Sequence, residues 1–380
     1  MAGPPKTPKD LGTIRSHRIH YFMFIHAMKL HDDLLLERVP LERCNYTLAL
    51  YAAHLASGST LLCKSVKSGT IAGYLRDVAR FLVTFNARDP RRTDATQTTN
   101  AECISGVLAE VKRWELVPNR REPLTVDMYM WLHDHINAPA SVHGPDSRYR
   151  AVTNWFGKGL YEGYRLTEWA QSVGHRDLNN PVLDIFGDPR AFMLGDLSFR
   201  SLARTRLELR AAHHDPTNVG EVTITYRTQK NGSNGEKRSH VRNEHNTKLC
   251  DVRLTMEILA RFIRLVGWNY TTPLAVYSAG PGLVHYITST DIELVMRDAA
   301  AHVYNLSPRT CQKELQLWSA HSIRVGACVI LHAMGFTASQ IQFILRWKSM
   351  AFLVYLRNLS IMSSQQNKAI HDVSRMPNFL

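Results

Sequence analysis

The chain lacks any run of eighteen apolar residues, so no membrane-spanning helix is expected. Its first twenty residues, MAGPPKTPKDLGTIRSHRIH, hold proline and charge but no apolar centre, and so do not read as a secretory signal. Cysteine is sparse. Cys44, Cys63, Cys103, Cys250, Cys311 and Cys328 form no C-x-x-C pair, which argues against a disulfide framework and a zinc knuckle. They read as reduced thiols of an intracellular protein, nuclear if the source is eukaryotic. No internal repeat or low-complexity tract marks a solenoid or a disordered array. Negative charge is also scarce. Asp and Glu number 33 against 46 Lys and Arg, a formal charge of +13.

That imbalance has a simple use. A polyanion is the partner that favours such an excess, and nucleic acid is the commonest one. A basic but unspecialised surface is the bland alternative. The positive residues are dispersed rather than gathered in one tail. The 380 residues suffice for two domains with a sizeable core.

Residues 1–20 read as a flexible arm, because Pro4, Pro5 and Pro8 oppose helix and no periodicity is present. From Tyr21 to Trp114 the pattern is helical. In the stretch from Thr70, Leu75, Val78, Ala79, Leu82 and Val83 make one apolar stripe, with Arg76 and Arg80 off it. Thr70 is the expected N-cap after Gly69. A second stripe joins Ile104, Val107, Leu108 and Val111. VPNRREPLT, 117–125, reads as a linker with Arg120 and Arg121 as an interdomain strap or merely solvated charge. Beyond it, SRYRAVTNWFGKGLYEGYRLTEWAQ is expected to be helical. Val222, Ile224 and Tyr226 then alternate with polar residues, as in a half-buried strand. KNGSNG predicts a hairpin turn before a second strand. From Leu249 to Tyr355 the reading is helical again.

The stretch SAHSIRVGACVILHAMGFTASQIQFILRWKSMAFLVYLRN concentrates the chemistry. His321 and Arg324 lie one helical turn apart, Trp347 follows a second short helix, and Tyr355 comes eight residues later. Upstream, GYRLTEW supplies Arg165 and Glu168, and TQKNG places Lys230 at the hairpin. Each has an ordinary reading: a surface H-x-x-R pair, a core tyrosine, a solvated hairpin lysine, an intrahelical Arg–Glu pair. All of these would have to coincide in order and spacing. The set Arg165, Lys230, His321, Arg324, Trp347 and Tyr355 resembles the active-site motifs of the tyrosine recombinases, the phage-integrase family. R-W-K-S with the tyrosine eight residues on looks most like their eukaryotic transposon-encoded branch, the crypton and DIRS-like recombinases.

The resemblance implies a mainly α fold with a small antiparallel β-sheet, arranged as a two-domain, C-shaped DNA clamp. A helical, SAM-like core-binding domain would span 21–116 and an α+β catalytic domain 126–360. Residues 361–380 would form a tail able to dock on a neighbour. It implies a DNA strand-transferase working without metal, cofactor or ATP. Its partner would be double-stranded DNA, bound by a homo-tetramer on two sites, with a dimer or monomer when free and no membrane involved. Tyr355 would be the nucleophile and Arg165 and Arg324 the phosphate clamps. Lys230 would be the general acid, with Lys237 able to reach the same place. His321 would hydrogen-bond the phosphate or assist proton removal from the tyrosine, Trp347 would offer its indole N–H and an apolar buttress, and Glu168 would orient Arg165. Arg76, Arg80, Arg120, Arg121 and Lys348 are expected DNA contacts. His213, His214, His240 and His245 read as polar loop residues rather than metal ligands. A non-catalytic DNA-binding protein derived from a recombinase, or a type IB topoisomerase-like activity, are the alternatives.

Overall fold

The structure, a computed structural model, describes residues 8–30, 35–58, 65–86, 88–94, 99–115, 120–184, 186–227, 229, 234–347, 352–353 and 355–356. The chain divides into two compact units, Met1–Pro118 and Asn119–Leu380. Among the described residues, no helix is long and apolar enough to cross a membrane, and Cys44, Cys103, Cys250, Cys311 and Cys328 are free thiols.

The first unit is helical: α1 (Pro8–Ala27), α2 (Leu41–Ser57), α3 (Ser68–Asn86) and α4 (Glu102–Trp114). The expected arm to residue 20 is therefore largely helix. Pro8 sits in the first turn of α1, where its missing N–H costs no hydrogen bond. Ile14, Tyr21, Phe24 and Ile25 are buried on one face of α1. That spacing holds the helix down from well inside the supposed arm. The α3 stripe is buried at Leu75, Val78, Ala79 and Leu82, whereas Val83 is exposed. Its start lies earlier than Thr70, whose N–H already donates to the Lys67 carbonyl.

The second unit opens with α5 (Val126–Asn137), α6 (Arg148–Glu162) and the single-turn α7 (Leu166–Trp169). Part of the expected linker belongs to this unit. The Glu122 and Leu124 N–H groups donate to the carbonyls of Leu317 and Ser322, and Leu124 is buried. There follow β1 (Leu197–Ser201), β2 (Arg206–Leu207), α8 (Leu209–His214), β3 (Val219–Tyr226) and β4 (Glu236–Val241). They form an antiparallel sheet in the order β2-β1-β3-β4. Burial of Val222, Ile224 and Tyr226 follows the expected alternation. After α9 (Asp251–Val266) the chain makes a hairpin, β5 (Val276–Gly280) with β6 (Leu283–Tyr286), where continuous helix was expected. The segment VYSAGPGLVHY carries the signal for it, paired β-formers around Gly280 and Gly282, both with positive φ. The unit ends with α10 (Ser289–Val303), α11 (Gln312–Leu315), α12 (Ser322–Ala333) and α13 (Ala338–Ile344).

The α6 helix runs through the centre of this unit. Residues Ala151 to Leu160 are all buried. Trp155 packs with Tyr164, Trp169 and Phe192. Lys158 is also buried, and both oxygens of buried Asp251 accept from its Nζ at 2.9 and 2.7 Å. On the other side, α12 crosses close to the chain at Leu124. A Cβ at Gly326 would sit 2.1 Å from the Leu124 carbonyl oxygen, so only glycine fits there.

Candidate active site

The site is built where α6 ends. Glu162 is its last residue, and Gly163 stops it in the left-handed conformation, φ +54°. A side chain there would also collide with Leu345, 2.8 Å from the added Cβ. The stretch around Arg165 is thus a break and not the expected continuous helix. Arg165 stands in extended conformation just before α7. Its N–H donates to Glu168 Oε2 and its Nη1 to Glu168 Oε1, both at 2.9 Å. Glu168, itself buried, thereby fixes both ends of Arg165.

Helix α12 delivers His321 at its N-terminus and Arg324 one turn later. Arg324 is only 5% exposed. Its Nη1 donates to the Gly163 carbonyl and its Nη2 to the Leu345 carbonyl, both at 2.7 Å. Arg165 Nη2 donates to the next carbonyl along, that of Arg346, at 3.1 Å. Two guanidinium groups from elements far apart in sequence are therefore held on consecutive peptide units. Burial, and then the charge of Arg165, lowers the Arg324 pKa to about 9, so it is still a cation at neutral pH.

The tyrosine arrives by packing. Leu345, Phe352 and Leu356 are buried with Ala327, Cys328 and Ile341, and Trp347 and Tyr355 pack on that cluster. Tyr355 Oη lies 2.8 Å from His321 Nε2. Burial raises the Tyr355 pKa against the opposing effect of Arg324, which leaves a protonated phenol. His321 keeps an exposed edge, but the protein packed around its ring lowers its pKa, and Arg324 and Arg121 add to this. A neutral imidazole that can accept a proton thus faces a phenol that needs to lose one. The Arg324 guanidinium sits 4.9 Å from the centre of the Trp347 ring. The buried indole N–H of Trp347 finds no acceptor among the described residues.

Five of the six motif residues and Glu168 are thus brought together. Lys230 and Lys348 lie outside the described residues. Lys237 does not face the site. It is exposed on β4 and lines a groove of about 430 Å³ with Arg200, Arg206, Glu221 and Ser239. Its neighbours on β4 point the other way. Arg238 Nη2 donates to the Phe343 carbonyl at 2.8 Å, and His240 Nε2 lies 2.6 Å from Glu162 Oε1. Alternation along the strand puts Lys237 on the face opposite Arg238 and His240. Arg76 and Arg80 are exposed on α3, and Arg120 and Arg121 are exposed in the second unit. Arg121 also donates to the Gln316 carbonyl.

The residues not anticipated are Glu162, Tyr226, His240 and Arg346. Arg346 is 4% exposed and bonds Glu162 Oε2 at 3.2 Å and Glu168 Oε2 at 3.0 Å. Its guanidinium lies 3.7 Å from the centre of the Tyr226 ring. Tyr226 Oη donates to Glu162 Oε2 at 2.7 Å. Burial alone would raise the Glu162 pKa. The hydrogen bond from His240 and the charges of His240, Lys158 and Arg346 outweigh burial and hold it at about 2. His240 moves up, since its bond to Glu162 and the charges of Asp251 and Glu162 overcome burial. His240 is therefore a strand residue in a buried ion cluster, not the loop residue expected. Alternation from Ser239 was the signal that could have placed it.

No family model and no curated protein matches this sequence. Among solved structures, the chain is similar to the Tn1549 transposon integrase in complex with transposon right-end DNA. The identity is 12%, the TM-score 0.44, and the match covers 93% of this chain and 98% of that one. It is similar to a lambda integrase dimer bound to a COC′ core site at 12% identity and TM-score 0.41, covering 93% and 90%. XerA recombinase matches at 14% identity and TM-score 0.35, covering 94% and 98%. The finer resemblance to eukaryotic transposon-encoded recombinases finds no support among these. Likeness at this level is silent on chemistry, which rests on the side chains described above.

Proposed function

We propose that this protein is a site-specific DNA strand-transferase of the tyrosine-recombinase type, cutting and rejoining DNA through a covalent 3′-phosphotyrosyl bond. The observation that carries the reading is the contact of Tyr355 with His321 beside two guanidinium groups held on consecutive carbonyls. In the reaction, His321 takes the phenolic proton as Tyr355 Oη attacks phosphorus. Arg165 and Arg324 neutralise the charge that builds on the non-bridging oxygens. The spare indole N–H of Trp347 supplies a further donor. The 5′-oxygen leaves with a proton, for which Lys230 is the proposed source. The phosphotyrosyl bond conserves the phosphodiester energy, so the reverse attack reseals the strand without ATP. We assign Arg76, Arg80, Arg120, Arg121 and Lys348 to the DNA backbone, and propose a tetramer acting on two sites, with the segment 361–380 as the exchanged element.

A library of nicked duplexes with randomised centres tests this directly. The wild-type protein is expected to give an SDS-resistant protein–DNA adduct, from which the preferred site can be read. Tyr355→Phe should give none while still binding the selected duplex. Arg324→Ala should lower adduct formation by about 10²–10³-fold, the usual loss for one donor at a developing anion. Binding without any adduct would favour a non-catalytic DNA-binding protein. Relaxation of plasmid by a monomer without paired sites would favour topoisomerase-like activity.

A further inference from the structure

We propose that Arg346 is a positioning residue whose buried fork on Glu162 and Glu168 sets the carbonyls that hold Arg165 and Arg324. The inference deepens the reading of the site given above and rests on it. Two closed rings of contacts pass through this residue. In the first, Arg346 Nη2 bonds Glu168, Glu168 bonds Arg165, and Arg165 Nη2 returns to the Arg346 carbonyl. In the second, Arg346 Nη1 bonds Glu162, the next residue's carbonyl accepts from Arg324 Nη1, and Arg324 Nη2 returns to Leu345. Each guanidinium of the site is thus referenced to the same side chain.

The backbone of Arg346 shows why the side chain is needed. Its φ is +55°, a conformation that glycine adopts freely and a long L side chain disfavours. Glycine would make the turn without strain, but it would leave Glu162 and Glu168 without the cation between them. Lysine would keep a charge but cannot fork to two carboxylates in fixed geometry. The arginine stands against its backbone preference with its side chain 1% exposed in the fork.

The test compares wild type with Arg346→Lys and Arg346→Gly. Water exchange of the guanidinium protons of Arg165 and Arg324, read by nitrogen-15 NMR without DNA, reports the clamp directly. Exchange at both should quicken roughly tenfold in the glycine variant and by a smaller factor in the lysine variant. On the selected duplex, adduct formation should fall by roughly 10–100-fold, with duplex binding held within about threefold. If the glycine variant fails to fold, the lysine variant decides by the same exchange measurement. Wild-type exchange rates at Arg165 and Arg324 in Arg346→Lys would overturn the inference. A wild-type protein that forms no adduct would overturn the strand-transfer reading instead, and the exchange rates would still decide the role of Arg346.

Discussion

Helices α12 and α13 end in the same way on different residues. At the end of α12 the Gly335 N–H bonds the His332 carbonyl and the Phe336 N–H bonds the Leu331 carbonyl. At the end of α13 the Arg346 N–H bonds the Phe343 carbonyl and the Trp347 N–H bonds the Gln342 carbonyl. Both are Schellman caps, and both need a left-handed residue at the same position, φ +85° for Gly335 and +55° for Arg346. Among the described residues nothing lies within 4 Å of a Cβ placed at Gly335, so that turn only reverses the chain. At Arg346 the turn also carries two working carbonyls and a buried cation. The same backbone motif is a connector in one place and part of the site in the other. A left-handed non-glycine residue costs about 1–2 kcal/mol; Gly335 avoids that cost, whereas at Arg346 side-chain contacts offset it.

The sharpest way to break this comparison is Arg346→Met. It removes the cation between two buried carboxylates that keep other partners, His240 and Tyr226 on Glu162 and Arg165 on Glu168, and should cost about 3 kcal/mol in urea unfolding, the low end of the usual loss when one member of a buried ion pair is removed. Gly335→Ala should cost about 1 kcal/mol, because only backbone strain is added. Equal costs at the two ends would mean that the fork contributes nothing special. The next effect appears only with pH. His240 has its pKa raised above 6.5 in the folded protein, so the stability it contributes is complete below 6.5 and lost as pH rises through the raised value. Melting temperature should therefore fall on going alkaline in wild type, and His240→Gln should remove that part of the fall. Were the slope unchanged, His240 would not be coupled to Glu162 as described. Lys237→Ala, on the outer face of β4, should alter adduct formation less than about twofold. A hundredfold loss there would show that the hairpin presents its other face to DNA.

Local sequence pattern and fold agree at particular residues. H-x-x-R in helix spacing gave the relation of His321 to Arg324, and alternation at Val222, Ile224 and Tyr226 gave β3, because both depend on local periodicity alone. Arg165 with Glu168 was legible as a pair, though not as a turn capped by its own carboxylate. The helix at 8–20 was hidden by prolines, which signal disruption in a helix interior yet are tolerated in a first turn. The β5–β6 hairpin was hidden between two strongly helical stretches. Arg346 was not singled out, since no local pattern announces a left-handed arginine.

The order of chemically capable residues and the excess of positive charge are properties of the sequence, since each follows from residue type and spacing along the chain. The meeting of Tyr355 with His321, and of Arg165 with Arg324, is a property of the fold. It depends on an α6 helix that stops at Gly163 and on consecutive carbonyls at Leu345 and Arg346. Contacts between residues some 20 to nearly 200 positions apart leave no trace in local periodicity. Only packing of the core determines which carbonyl each guanidinium finds.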